Sequence, residues 1–478
     1  MIHLTRTTPA PKVGIVHLGP GAFFRAHGAI YVAEAMAASG GSWGITAASL
    51  QSPATRNALK PQGYCYTALE AGPLGDRAQV IGVIGSVLVA PENPQALIDA
   101  MADPAVKIVS LTITEKGYCH DPATGALNLS HPDIADDLQN PHPRSAPGFL
   151  VRALAARRAA GLKPFTVLSC DNLPANGAVV RGVVLEFARR LDPALADWIA
   201  AGGQFPATMV DRIVPATRPE DLDRVARLTG FYDAGPVIHE PFRQWVVEDR
   251  FVDNARPDFG AVGVQMVADV APHELMKLRM LNGSHSALAY LGYLAGYETI
   301  ADTVADPVFS RFAQTLWRDE IIPVLKTPSG ADLPEYARAL LARYQNPAIR
   351  HRTWQIAMDG SQKLPQRILA TLAEAQTHCP GLNLAVAAWM HYVSGTDFGG
   401  APIEVRDPFA ADLRLRATSP DPVTALLNLR AVFSPEIAAK IAAPVAAAHA
   451  RLREIGARAA VAEVPDVTLS PYRPDRHI

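Results

Sequence analysis

Short runs of aliphatic and β-branched residues alternate with helix-forming stretches through the first half of the chain, the pattern of a parallel sheet flanked by helices. Val13 to Leu18, Trp43 to Leu50, Val106 to Thr114 and Phe165 to Ser169 are the expected core strands. Between the second and third of these, Tyr64 to Leu69 and Gln79 to Val89 read as extra strands, an antiparallel extension or insertion. From about His273 the period lengthens to that of helices rich in Ala and Leu, such as Glu335 to Arg343, Arg367 to Ala375 and Pro435 to Arg458. The pattern therefore predicts an α/β domain over residues 1–272 and a mostly α-helical domain over 273–478. At 478 residues the chain is long enough for each to bury its own core.

Composition removes several function classes. With 44 basic against 46 acidic side chains and a formal charge of -2, no field of one sign favours a nucleic acid partner. The cysteines Cys65, Cys119, Cys170 and Cys379 form no C-x-x-C pair, which fits reduced thiols in a cytoplasmic protein. Met1 to Lys12 lacks an apolar signal region, and the longer uncharged stretches are interrupted by polar residues, so neither a signal peptide nor a membrane span is expected.

At the start of the chain, Lys12-Val-Gly-Ile-Val-His-Leu-Gly19-Pro-Gly21-Ala-Phe23-Phe-Arg25-Ala-His27 reads as strand, glycine turn, helix. Bare backbone at Gly19 and Gly21 would let a pyrophosphate reach the N–H groups of the helix start. Phe24 stands where G-x-G-x-x-G has its third glycine. Arg25 either adds a charge-assisted phosphate contact or is a solvated helix residue. After the second strand, Ser49-Leu-Gln-Ser52 offers neither a carboxylate for a ribose hydroxyl nor a basic cluster for a 2′-phosphate. Charge alone thus leaves NAD and NADP open.

The chemical signal lies at His273-Glu274-Leu-Met-Lys277-Leu-Arg-Met-Leu-Asn282-Gly-Ser-His285. On a helix advancing roughly 100° per residue, Lys277, Asn282, His285 and Glu274 fall within an arc of roughly 140°. A polar helix face is usually a solvated surface, but the residues around this one are apolar nearly all round. Polar groups set into such a helix need partners and line a cleft more readily than a surface. His273-Glu274 opens like the zinc motif H-E-x-x-H, yet Lys277 occupies the second histidine position, and an ammonium is no ligand. No tyrosine has a lysine four residues later, which removes Tyr-x-x-x-Lys chemistry and leaves lysine as the natural base.

On Gly19-x-Gly21-x-Phe23-x-Arg25-x-His27 and Lys277-x4-Asn282-x2-His285 the chain resembles the polyol-specific long-chain dehydrogenases, the mannitol dehydrogenase family. Thr114-Glu-Lys-Gly-Tyr118, Ser169-Cys-Asp-Asn172, Val210-Asp211-Arg-Ile213 and Asp359-Gly-Ser-Gln-Lys363 extend the resemblance over nearly the whole length. Thr114 to Cys119, Glu240 to Trp245 and His351 to Gly360 look most like its D-mannonate oxidoreductase, or fructuronate reductase, branch. The resemblance implies an expanded Rossmann domain followed by a helical domain, NAD as cofactor, no metal, and a sugar acid or polyol as substrate. Mannitol and tagaturonate remain alternatives within the enzyme class. A dinucleotide-binding sensor that has lost the chemistry is the alternative outside it, and the presence of Lys277, Asn172 and Asn282 speaks against it.

The same resemblance assigns roles. Lys277 takes the hydroxyl proton as hydride leaves the carbinol carbon, while Asn172 and Asn282 hold the substrate oxygen with their amide N–H groups. His285 fixes a neighbouring hydroxyl, its alternative being a satisfied core histidine. Lys363 and Asp211 position the substrate, the alternatives being a loop charge and an ion pair with Arg212. Glu274 either relays protons to water or forms an exposed pair of little consequence. If the substrate is a sugar acid, Lys116, Lys363, Arg352 and Arg367 are available to its carboxylate, the alternative for each being a structural charge.

Overall fold

The computed structural model describes residues 2–121 and 124–466, and the chain divides into two compact units, Met1–Ala271 and Pro272–Ile478. In the first, five parallel strands lie in the spatial order Ile84–Val89, Gly44–Ser49, Val13–Leu18, Ile108–Leu111, Thr166–Ser169. Numbered along the chain this is the Rossmann order 3-2-1-4-5, which opens a crevice at the carboxyl ends beside the first strand. Alternate residues of one strand feed two cores, because side chains point to opposite faces with period two. Val16 and Leu18 pack with Phe149, Leu150 and Val183, whereas Ile15 packs with Ile30, Ile45 and Trp245.

Two strand expectations are corrected. The run Gln79 to Val89 is not one strand: Gly75–Ile81 pairs antiparallel with Tyr66–Gly72, and Ile84–Val89 becomes an edge of the parallel sheet. Gly82 marks the break, where Arg6 donates to the carbonyls of Gly82 and Ile84 at 3.0 and 2.6 Å and pins the corner. Nor does the third expected strand reach Thr114. It ends at Leu111; Thr112 turns its hydroxyl onto the Gly19 carbonyl at 2.7 Å, and Thr114, at φ +64°, starts the short helix Thr114–Gly117.

The second unit is mostly helical. Its helix Pro380–Tyr392 is buried without interruption from Leu382 to Met390, as an apolar helix wrapped on all sides must be. The Glu320 carboxylate accepts from the backbone N–H groups of Gly381 (2.7 Å) and Leu382 (2.8 Å), satisfying donors that the first helical turn leaves open. Burial raises the pKa of that carboxyl to about 7. The expected helix Glu335 to Arg343 spans Leu333–Tyr344, and Pro435 to Arg458 breaks at Gly456 (φ +78°) into Pro435–Ile455 and Ala457–Ala462. No helix of the described residues is long and apolar enough to cross a membrane.

Candidate active site

In the first unit the glycine turn closes the first strand. Gly19 has φ +90°, and a Cβ there would lie 2.1 Å from the Thr112 carbonyl oxygen, so both conformation and space demand glycine. Gly21 is different. Its backbone is extended (φ -68°, ψ -178°), no side chain caps the helix Ala22–Ala26 that follows, and the nearest atom to an added Cβ is 4.0 Å away. The turn therefore presents uncapped helix N–H groups beside open space, which fits the pyrophosphate of a dinucleotide.

Phe24, in the place of the third glycine, stacks on His17 with ring centroids 3.3 Å apart. Gly28 accommodates that ring, for a Cβ there would meet it at 3.1 Å. His17 joins strand to strand through Ser110 Oγ (2.8 Å) and Thr112 Oγ1 (2.9 Å), and burial lowers its pKa to about 3, keeping the imidazole neutral. Phe23 stacks on His27 at 5.1 Å. The guanidinium of Arg25 lies over Tyr66 at 5.3 Å and donates Nη1 to the Gly235 carbonyl at 2.5 Å, so it braces the helix from within the unit. Sequence reasoning missed His17 and Gly28, whose only local signal is their distance from the glycine turn.

Two of the stretches that carry the family resemblance, Thr114 to Tyr118 and Ser169 to Asn172, are tied into one unit. Asp171 accepts from the backbone N–H groups of Ile113 (3.0 Å) and Thr114 (2.9 Å) and from Tyr118 Oη (2.7 Å). It thereby ties the Thr114–Tyr118 loop to the end of the strand Thr166–Ser169 and sets Asn172, exposed, at the carboxyl edge of the sheet. Asn176 clamps the other side, donating to the Asp171 and Thr208 carbonyls at 3.0 and 2.9 Å. Asp211 is buried at the end of Thr208–Asp211, opposite Gln244. Its neighbour Arg212 donates to the carbonyls of Ala26 (2.7 Å) and Glu240 (3.1 Å) and lies 3.9 Å from Glu70.

In the second unit Lys277, Asn282 and His285 share one continuous helical rod, but not a regular one. Residues Lys277–Gly283 form a π-helical segment between the α-helices Ala271–Met276 and Ser284–Leu294. This corrects the uniform 100° step assumed from sequence. A ladder bonded i→i+5 turns less per residue, and Asn282, five residues after Lys277, comes round one turn above it. Lys277 is 8 % exposed and Glu274 half-buried, one turn before it.

Such a segment shifts carbonyls away from their usual N–H donors, and here side chains donate to them as well. Met280 O accepts from Ser284 Oγ (2.5 Å) and Trp317 Nε1 (2.9 Å), and Leu281 O accepts from Tyr344 Oη (2.9 Å). Arg279, buried, pairs with Glu374 at 2.6 Å. A second π-helical segment, Pro365–Leu369, replaces the start of the helix expected at Arg367 to Ala375 and lies against the first, since a Cβ on Gly283 would sit 2.7 Å from the Arg367 carbonyl oxygen. Asn282 is thus followed directly by a close-approach glycine.

Around His285 the surroundings are aromatic and cationic. Its ring stacks on Tyr344 at 4.7 Å and meets His351 edge-on at 4.9 Å. Burial, with His351, Arg343 and Arg367 nearby, holds the His285 pKa well below its ordinary value; burial with Arg343, Lys363 and Arg367 lowers His351 to about 4. Both rings are therefore neutral hydrogen-bonding groups at neutral pH. Lys363 follows the turn at Asp359 (φ +54°), where position 360 takes only glycine, since a Cβ would overlap Trp389 and Tyr290. Its Nζ donates to Met358 O at 2.5 Å and lies 4.0 Å from Asp359; burial, then Arg367, lowers its pKa. Tyr344 and Arg343 were not singled out from sequence, because these partners are remote along the chain.

Comparisons with known proteins agree on one relationship. The family description "Mannitol dehydrogenase Rossmann domain" matches residues 13–260 and "Mannitol dehydrogenase C-terminal domain" residues 269–453. The chain is 48% identical to the D-mannonate oxidoreductase of Escherichia coli over 94% of its own length and 95% of that protein's. It is 43% identical to a mannitol 2-dehydrogenase of Aspergillus fumigatus, covering 90% of this chain and 88% of that one. Among solved structures it is similar to Pseudomonas fluorescens mannitol 2-dehydrogenase in ternary complex with NAD and D-mannitol (TM-score 0.82, 38% identity, 96% of each chain).

Proposed function

The chain belongs to the mannitol dehydrogenase family, and from that premise we propose that it is an NAD-dependent oxidoreductase interconverting a sugar acid or polyol and its keto form, with D-mannonate and D-fructuronate as the pair. NAD, when bound, exchanges the hydride of the carbinol carbon. The open backbone at Gly21 and the strained turn at Gly19 would hold its pyrophosphate, with Phe23 beside them. The observation that carries the reading is the π-helical register of Lys277 and Asn282 on a buried rod, beside a neutral histidine.

In this reading Lys277 Nζ, when uncharged, accepts the hydroxyl proton and returns it in the reductive direction. Asn282 donates its amide N–H to the same substrate oxygen, and Asn172 of the first unit is assigned the same task. Neutral His285 fixes a neighbouring hydroxyl; Lys363 and Asp211 orient the remainder of the substrate. Glu274, one turn from Lys277, passes the proton on to water. Arg25 contributes by bracing the glycine turn.

The test is a steady-state assay of NAD-dependent oxidation of D-mannonate, D-mannitol and other polyols, for the wild type and for Lys277→Ala. Removing the acid/base group is expected to cost on the order of 10²–10⁴ in kcat while NADH still binds. A Lys277→Ala enzyme as fast as the wild type would remove the proposed base. NADH binding without turnover on any of the substrates would favour a sensor.

A further inference from the structure

The second unit holds a cation, Arg367, with which no carboxylate of the described residues pairs. Arg367 is carried on the π-helical segment Pro365–Leu369, which Gly283 allows to lie directly against the segment of Lys277 and Asn282. Its Nη1 donates to Ser286 Oγ at 3.1 Å, one residue beyond His285. Among the described residues no other acceptor takes the guanidinium and no carboxylate pairs with it; the groups that act on it are the phenols of Tyr290 and Tyr344. Lys363 stands close enough for Arg367 to lower its pKa, and the carboxylates of Asp359 and Asp407 act on Lys363 in the opposite sense.

Holding a guanidinium largely out of water beside a second cation is costly unless an anion is delivered to it. Ser286 fixes one nitrogen and so orients the plane, leaving the Nε and Nη2 edge, the planar fork that matches a carboxylate with two parallel hydrogen bonds. A neutral polyol offers this edge only hydroxyls. We infer that Arg367, oriented by Ser286 and assisted by Lys363, binds the terminal carboxylate of the substrate and so makes an aldonate, rather than a neutral polyol, the preferred substrate of the site. The inference rests on the oxidoreductase reading above and adds to it a specificity-determining residue.

D-mannonate and D-mannitol differ only in carrying a carboxylate or a hydroxymethyl at one end, and they isolate the effect. For NAD-dependent oxidation the wild type is expected to show the higher kcat/KM on mannonate. Arg367→Gln should lower the mannonate-to-mannitol ratio of kcat/KM by on the order of 10- to 100-fold, chiefly through KM, the effect of one charged hydrogen-bonding group. Arg367→Lys should fall between the two, since a point charge replaces the fork. Equal losses on both substrates would make Arg367 structural and overturn the inference. A wild type that prefers mannitol would overturn it too while leaving the oxidoreductase reading intact, whereas a wild type that oxidises neither substrate removes that reading and this inference together. Should Arg367→Gln fail to fold by circular dichroism, Arg367→Lys decides: a several-fold fall in the ratio supports the carboxylate contact and an unmoved ratio refutes it.

Discussion

The two units prepare their chemistry by opposite means. At the carboxyl end of the parallel sheet, the glycine turn works through backbone: Gly19 supplies a left-handed conformation, Gly21 leaves space, and a neutral imidazole at His17 ties the strands beneath. Along the helix of Lys277 the backbone itself departs from the α-helix, and side chains from remote segments, Trp317 and Tyr344, make that departure tolerable. The first arrangement depends on two positions having no side chain. The second depends on several side chains being the right ones.

That contrast can be broken most sharply at the glycines. Gly19→Ala puts a Cβ into the Thr112 carbonyl at a φ of +90°, and with both backbone strain and a backbone overlap the loss should exceed about 4 kcal/mol, the range of severe single substitutions. Gly21→Ala, with open space around it and ordinary φ, should leave stability within about 1 kcal/mol and weaken NADH binding instead. Urea unfolding and NADH titration of the two variants distinguish these outcomes. Similar losses of stability from both would contradict the division of labour between the two glycines.

Acid should erase the distinction between the units. Burial holds His17, His27 and His239 of the first unit at about 3 and His351 and His391 of the second at about 4, below the ordinary 6.5. As pH falls below about 6.5 the unfolded chain binds protons that the folded chain refuses, so stability is lost progressively down to the folded values. Each such imidazole adds a slope of up to about 1.4 kcal/mol per pH unit. Glu320, raised to about 7, runs the other way: its folded form keeps a proton that the unfolded one releases above about 4.5, so its contribution falls as pH rises through that window. The histidines outnumber it, and urea midpoints measured from pH 7.5 to 5 are expected to drop. A flat or rising profile would show that the rings are not held neutral.

The smallest expected effect probes the π-helical segment. Tyr344→Phe removes one donor from Leu281 O, which keeps the Ser284 backbone N–H, and one partner of Ser284 Oγ, which keeps Met280 O, costing about 0.5–1.5 kcal/mol of stability, the net worth of a hydrogen bond. If the segment sets the register of Lys277 and Asn282, kcat should fall as well, without a matching change in NADH affinity. A variant that loses stability and keeps its kcat would make Tyr344 a packing residue only.

How much of this was legible in the sequence follows from how local each feature is. The strand-turn-helix of Val13 to Ala26 could be read because its cause, a glycine at a strand end, is contained in a few residues. The strand overrun at Thr114 and the missed break at Gly82 arose where a hydroxyl or a distant arginine, rather than hydropathy, ends the strand. The polar residues of the Lys277 helix stood out against apolar neighbours, yet their register did not. Nothing in Lys277-Leu-Arg-Met-Leu-Asn-Gly283 specifies an i→i+5 ladder apart from the partners that complete it, and these come from Trp317 and Tyr344. For the same reason the aromatic and cationic surroundings of His285 were invisible until the fold assembled them.

The role of Lys277 is tested most directly by chemical rescue. Lys277→Ala, purified with its NADH binding intact, is assayed for oxidation of D-mannonate with and without added small primary amines. The lost turnover should return in part, increasing with the fraction of amine present as free base. Wild-type turnover by Lys277→Ala with no amine present would contradict the assignment of this side chain as the proton acceptor.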